Sequence, residues 1–218
     1  MPQDYIDKSP SYFDDARTEI EPLLAPYAER TLEIGCGTGQ TMRWLLDTHR
    51  TKRAWGLELF EPAAQLSRKH FEEVLVGDAE VAIKTSYEGM KFDLILCLDV
   101  LEHMVDPWKF VQALETRLAP GGKLVVSLPN IRCLKVLAPL ALFGHWRYDT
   151  NGILDRTHLR FFTRETAISL VNTKVFRFER CIAHIQSGTK LEFVNRVTFG
   201  LLINFAAKQY LIASTRVD

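Results

Sequence analysis

The chain has 218 residues, 47% of them hydrophobic and 25% charged, which suits a folded core and excludes a disordered or fibrous chain. Twenty-seven Lys and Arg balance twenty-seven Asp and Glu, so no global charge draws the molecule to nucleic acid or to an anionic membrane. The expectation is one domain over residues 1–218 in a cytoplasmic setting, with no nucleic-acid partner.

The N-terminus, MPQDYIDKSPSYFDD, is acidic and has no apolar run behind it, so a signal peptide is not expected. Strand-like runs then alternate with helix-like ones. Thr31–Ile34, Arg53–Glu58 and Glu73–Asp78 are short apolar runs that end in an acid or a glycine. Phe92–Leu98, and Gly122–Leu128 behind the turn Pro120-Gly121-Gly122, are apolar almost throughout, as strands covered on both faces are. Helical spacing falls between them at Thr41–His49, Pro62–Phe71 and Asp106–Leu118. This rhythm predicts a doubly wound, mostly parallel sheet.

After Asn130 the rhythm breaks for about thirty residues, and an insert of that length is usually functional. A helix is expected to open behind Thr163, whose hydroxyl suits an N-cap. Val175–Ile185 reads as a strand, Leu191–Phe205 as a helix or lid, and Gln209–Arg216 as a last strand. The two late strands, joined without a clear crossover, predict an antiparallel edge. No apolar stretch reaches the roughly 20 residues of a spanning helix. Cys36, Cys97, Cys133 and Cys181 lie far apart, with no zinc or disulfide pattern.

The sharpest signal is Leu32-Glu33-Ile34-Gly35-Cys36-Gly37-Thr38-Gly39, where alternating glycines let backbone approach a ligand closely. A dinucleotide site wants G-x-G-x-x-G, and the third glycine position is Gln40, which argues against a nicotinamide oxidoreductase. The E-x-G-x-G-x-G spacing resembles motif I of the class I S-adenosylmethionine-dependent methyltransferases, and the likeness extends through most of the chain. The resemblance implies a Rossmann-like seven-stranded sheet with an antiparallel last strand, S-adenosylmethionine as cofactor and S-adenosylhomocysteine as product. It also implies site roles. Glu58 would hold the ribose diol, Asp78 and Ala79 the adenine edge, and Leu59 the purine face. Glu33, Gly35, Cys36, Gly37 and Gly39 would form the motif I cradle, and Cys97 and Leu98 would lie under the sulfonium. Tyr12 and Arg17, in an N-terminal segment 1–30 that folds over the cofactor, would cover the methionine moiety and meet its carboxylate.

Asp99-Val-Leu-Glu102-His103 has two readings. Asp99 and Glu102 stand three apart, as in a variant capping box; alternatively, Asp99, Glu102 and His103 form an oxygen-rich metal face, as the similar segment of ubiquinone-pathway O-methyltransferases suggests. The structural reading is preferred, so no metal is assigned. The chain lacks the [DN]-P-P-[YF] motif of adenine and amide N-methyltransferases and any Pro-Cys nucleophile.

Acceptor recognition is expected in the insert 130–163, where Asp155-Arg-Thr-His-Leu-Arg-Phe-Phe-Thr resembles small bacterial methyltransferases of glycan and natural-product pathways. Ser127-Leu-Pro-Asn, Gly144-His-Trp and Arg156-Thr-His resemble the methionine-biosynthesis protein W, which suggests a regulatory partner protein as the alternative function. The favoured activity is O-methylation of a small-molecule sugar, natural product or isoprenoid-like acceptor. His158 is the candidate base, because a neutral imidazole takes a proton near neutral pH, with Asp155 to orient it and His145 as the second candidate. Equally, His158 holds the lid through a backbone hydrogen bond. Between Asn130 and Arg180, Arg132, Lys135, Arg147, Arg156, Arg160, Arg164, Lys174, Arg177 and Arg180 outnumber Asp149, Asp155, Glu165 and Glu179, which hints at an anionic acceptor or a solvated face. The apolar run Cys133–Phe143 reads as a lid, a homodimer contact or a membrane-touching surface.

Overall fold

A computed structural model describes residues 13–217. Seven strands form one sheet: β1 (Ala28–Ile34), β2 (Thr51–Glu58), β3 (Glu73–Val76), β4 (Phe92–Leu98), β5 (Leu118–Pro129), β6 (Phe176–His184) and β7 (Gln209–Arg216). Their order is β3-β2-β1-β4-β5-β7-β6. β7 runs antiparallel to both neighbours, and the other pairings are parallel.

The inner strands are mostly apolar because successive side chains enter different cores. Ile95 and Cys97 of β4 join one cluster, while Leu94, Leu96 and Leu98 join the other. Tyr210 and Ile212 of β7 alternate with Leu211 and Ala213 in the same way. The first face is closed by α4 (Pro107–Glu115), which buries Phe110, Val111 and Leu114, and the second by α1 (Gln40–Asp47), through Met42 and Leu45. α2 (Glu61–Ser67) and α3 (Ala79–Thr85) flank the β2–β3 half. The α3 helix has no counterpart in the sequence reading, since seven residues with only Ile83 buried carry too little periodicity to be seen.

The expected antiparallel last strand is found in β7, but it inserts between β5 and β6, so β6 and not the last strand forms the edge. Within the insert, Leu134–Phe143 folds as α5, which buries Val136 but leaves Leu142 and Phe143 largely exposed. Cys133, Val136 and Ile153 build a small core there, against which Trp146 and Leu191 pack. Thr163 caps α6 (Arg164–Leu170) as expected, in a reciprocal box with Thr166. The span expected as one helix or lid divides into α7 (Lys190–Val197) and α8 (Ile203–Ala206), broken where Phe199 and Gly200 take φ of 51° and 82°. Among the described residues no helix is long and apolar enough to cross a membrane.

Candidate functional site

A cavity of about 950 Å³ opens at the carboxyl ends of β1, β2 and β4 and continues beneath residues 150–159 to Lys208 and Gln209. Its floor is the turn between β1 and α1. Gly35 and Gly37 take φ of 69° and 52° there. A Cβ on Gly37 would come within 2.7 Å of the Phe13 carbonyl oxygen, and one on Gly35 within 2.6 Å of Val100 Cγ2, so the glycines are required by close approach. Thr38 binds the same chain segment, donating its N–H to the Phe13 carbonyl and its hydroxyl to Asp14 Oδ1 at 2.8 Å. Phe13 stacks on Phe60 with ring centroids 5.0 Å apart. The N-terminal segment therefore lies against the glycine turn. Tyr12 lies outside the described residues.

Glu58 ends β2 with both oxygens engaged: Gly37 N–H donates to Oε2 at 2.7 Å and Phe60 N–H to Oε1 at 2.9 Å. Burial raises its pKa despite those amides. Glu33 is 3% exposed, and burial, then the charge of Glu58, push its carboxyl to about 8. Its Oε2 has no hydrogen-bond partner among the described residues. Arg17 pairs with Glu19 at 2.6 Å and with Asp99; burial opposes its charge, but these carboxylates outweigh it and hold the guanidinium above its ordinary value. Asp78 uses Oδ1 to cap α3 through Glu80 N–H at 2.7 Å and still lines the cavity, as do Leu59, Ala79 and Leu98.

Two expected cofactor contacts are corrected. Gly39 does not line the cavity; it starts α1 at φ 82°, and a Cβ there would meet Phe71 at 3.0 Å and Ser67 at 3.1 Å, so it serves helix packing. Cys97 is fully buried in the core and reaches no cavity wall. Cys36 lines the cavity through its position in the turn, while its thiol lies 3.8 Å from the Ser67 hydroxyl and is pushed up by burial.

At the far end, Asp99 takes φ 55° and is clasped by Ser127, whose hydroxyl accepts Asp99 N–H at 2.9 Å and donates to Asp99 Oδ1 at 2.7 Å. This replaces the expected capping box: the single 3₁₀ turn Leu101–His103 has no side-chain cap. The metal alternative changes its members as well, because Asp99 pairs with Arg17 while ligand atoms of Glu102, His103 and His158 lie within 4.8 Å of one another. Glu102 is wholly buried, with both carboxyl oxygens lacking a hydrogen-bond partner among the described residues. Burial, then Asp99, raises its pKa well above the ordinary value. Its main-chain carbonyl accepts Leu159 N–H at 2.8 Å and Arg160 N–H at 3.0 Å, which pins the insert to the sheet. Burial, then His158, lowers His103 to about 4.

His158 is 8% exposed and lines the cavity. Its Nδ1 lies 3.0 Å from the Ile153 carbonyl, and a carbonyl only accepts, so Nδ1 carries the proton in the neutral ring. Nε2 lies 3.9 Å from Glu102 Oε1. The Asp155 carboxylate accepts the N–H and hydroxyl of Thr157, and its main-chain carbonyl accepts His158 N–H at 3.0 Å. His145 is exposed beside Phe143 and does not line the cavity. Sequence reasoning missed Ser127, Lys208 and Gln209. Ser127 left a trace, as a polar residue ending an apolar strand; Lys208 and Gln209 left none, because the pairing of Gln209 with Pro129 brings them in from the far end of the chain.

The orphaned Glu33 oxygen, the paired acid Glu58 and the glycine-rich turn fit a cofactor carrying an ammonium group and a ribose diol. A family model described as a methyltransferase domain matches residues 8–173. The ubiquinone biosynthesis O-methyltransferase of Idiomarina loihiensis is 31% identical over 108 residues, covering 48% of this chain and 44% of the relative. That of Coxiella burnetii is 28% identical over 120 residues, covering 51% and 48%. The matches thus span about half the length of these curated relatives. Among solved structures, an S-adenosylmethionine-dependent methyltransferase from Mesorhizobium loti is similar at a TM-score of 0.65 and 20% identity, covering 94% of this chain and 100% of that one. The N-methyltransferase NodS of Bradyrhizobium japonicum, in complex with S-adenosylhomocysteine, has a TM-score of 0.60 and 18% identity, covering 99% and 95%. At such identities these two structures speak for the fold.

Proposed function

We propose that the chain, which belongs to the methyltransferase-domain family, uses S-adenosylmethionine and methylates a hydroxyl of a small-molecule acceptor, with His158 as the base that takes up the hydroxyl proton. When bound, S-adenosylmethionine supplies an electrophilic methyl on a sulfonium, and the transfer is an in-line displacement. The residues of the chain do the rest. Glu58 and the glycine turn hold one end of the cavity, and Arg17, fixed by Glu19 and Asp99, stands at its wall. Positioning of two reactants in one enclosed site supplies most of such a rate enhancement, and deprotonation of the hydroxyl adds roughly 10²–10⁴-fold.

One observation carries the base assignment. The Ile153 carbonyl fixes the proton of His158 on Nδ1, so the nitrogen that takes up a proton is Nε2, on a residue that lines the same cavity as Glu58. The Glu102 carboxyl beside it is held toward its neutral form by burial, and the imidazole keeps its basic lone pair. The curated relatives named as O-methyltransferases support oxygen as the acceptor atom. A purely regulatory partner role fits less well with an acid set in place at Glu33, Glu58 and Asp78.

The test is transfer of labelled methyl from S-adenosylmethionine into the small-molecule fraction of a cell extract, with wild type and His158→Gln side by side. Loss of label by at least about a hundredfold, with unchanged affinity for S-adenosylhomocysteine, is expected for a base. Undiminished label in the variant removes His158 from that role.

A further inference from the structure

The two cations without a carboxylate partner lie at one end of the cavity. The acids Glu33, Glu58 and Asp78 stand at the ends of β1 to β3, the half that fits a cationic cofactor, while Asp99, Glu102 and Asp155 at the other end are paired, held toward neutrality or bonded to Thr157. Of the three Lys and Arg side chains that line the cavity among the described residues, Arg17 is neutralised by Glu19 and Asp99. The other two, Arg156 and Lys208, lie at the opposite end, and neither side chain has a hydrogen bond or ion pair among the described residues.

Both cations stand on fixed backbone. Arg156 N–H donates to the Asp149 carbonyl at 3.0 Å and His158 N–H to that of Asp155 at 3.0 Å, so Arg156 is two residues from the proposed base on a loop that bonds to itself. Lys208 N–H donates to the His184 carbonyl at 2.8 Å and its own carbonyl accepts Asn130 N–H at 2.9 Å, which ties it to the ends of β6 and β5. The carboxylate nearest in sequence, Asp155, is 1% exposed and accepts from Thr157. Two uncompensated cations reaching one cavity from independent elements make a site for an anion.

We propose that Arg156 and Lys208 form an anion subsite that holds a carboxylate or phosphate group of the acceptor and presents its hydroxyl to His158. The inference rests on the acceptor-side reading of this cavity and names the acceptor class: a hydroxylated small molecule bearing an acidic group. An anionic acceptor also complements the sulfonium that it approaches, which lowers the cost of bringing both reactants together in a partly dehydrated space.

The test separates binding from chemistry. The protein loaded with S-adenosylhomocysteine is titrated calorimetrically with inorganic pyrophosphate and, separately, with succinate, at low ionic strength. Wild type is compared with Arg156→Gln, Lys208→Gln, the double variant and Arg147→Gln, whose exposed side chain lies outside the cavity. Each single change at the subsite is expected to weaken the preferred anion about tenfold and the double change more, while Arg147→Gln binds as wild type does. The stronger of the two anions identifies the acidic group. No binding of either anion, or equal affinity in wild type and the double variant, overturns the subsite. Failure of the base assignment would appear instead as turnover retained in His158→Gln with anion binding intact. Unchanged affinity for S-adenosylhomocysteine in all variants confirms that the fold is kept.

Discussion

Gly37 donates its backbone N–H to Glu58 Oε2 at 2.7 Å, so the cavity-lining turn behind β1 is held by the acid that ends the neighbouring strand. The second oxygen of Glu58 is committed to Phe60 N–H, which anchors the start of α2 in the same way. One carboxylate therefore shapes two turns before any ligand arrives.

Glu58→Gln should accordingly damage both fold and binding. The amide keeps one acceptor and turns its NH₂ toward an N–H donor, leaving a buried donor unmet at a cost of about 1–3 kcal/mol. Chemical denaturation should register that loss, and calorimetry should show S-adenosylhomocysteine affinity reduced at least about tenfold. A variant with wild-type stability and affinity would sink the role given to this acid.

Gly37→Ala tests the close approach of the Phe13 segment. The added methyl meets the Phe13 carbonyl oxygen at 2.7 Å and forces a side chain onto φ 52°, which alone costs about 1–2 kcal/mol. Lower thermal stability is expected, together with faster proteolysis near residue 13 as the segment is pushed away. Gly77→Ala is the control, since its Cβ would meet nothing within 4 Å, although its φ of 137° strains any side chain. Equal protection of the N-terminal segment in both variants would contradict this account.

The pH dependence of stability should carry the signature of Glu33. Its carboxyl stands near 8 in the folded chain against an ordinary value of 4.5, so between those values the folded state holds a proton that the unfolded state has lost. Stability from this group is full below about pH 4.5 and falls as pH rises toward 8, by at most about 1.4 kcal/mol per pH unit. Glu33→Gln removes the slope, so the difference between wild-type and variant unfolding free energies should drift with pH in this window and level off above it. A constant difference from pH 5 to 8 would mean that Glu33 is not buried as a neutral acid. Binding of an ammonium-bearing cofactor near pH 7 should also expel a proton, visible as a binding enthalpy that varies with the ionisation enthalpy of the buffer.

Much of this was legible in the sequence, for physical reasons that differ between the two halves. In the first half the cavity-lining acids sit at or near strand ends, where the resemblance through motif I implied Glu33, Glu58 and Asp78. The same logic overreached at Gly39 and Cys97, because spacing does not distinguish a glycine needed for packing against Phe71 from one needed beside a ligand. Asp99 reads locally as a helix cap, yet its partners Arg17 and Ser127 come from 82 and 28 residues away, which no local pattern reveals. The position of β7 was missed for a related cause: Gln209–Arg216 is equally apolar on an edge or between two strands, and only pairing decides.

That placement of β7 bears on how the molecule is made. In the sheet β6 has β7 as its sole neighbour, and β7 lies later in the chain, so during synthesis β6 emerges with both edges bare and waits for residues 209–216. The part of the sheet from β3 to β5 is complete by then, glycine turn included. Lys208 and Gln209 take their places only as β7 slides between its neighbours, so a nascent chain completes the glycine-turn floor of the cavity well before it gains the wall that these two residues supply.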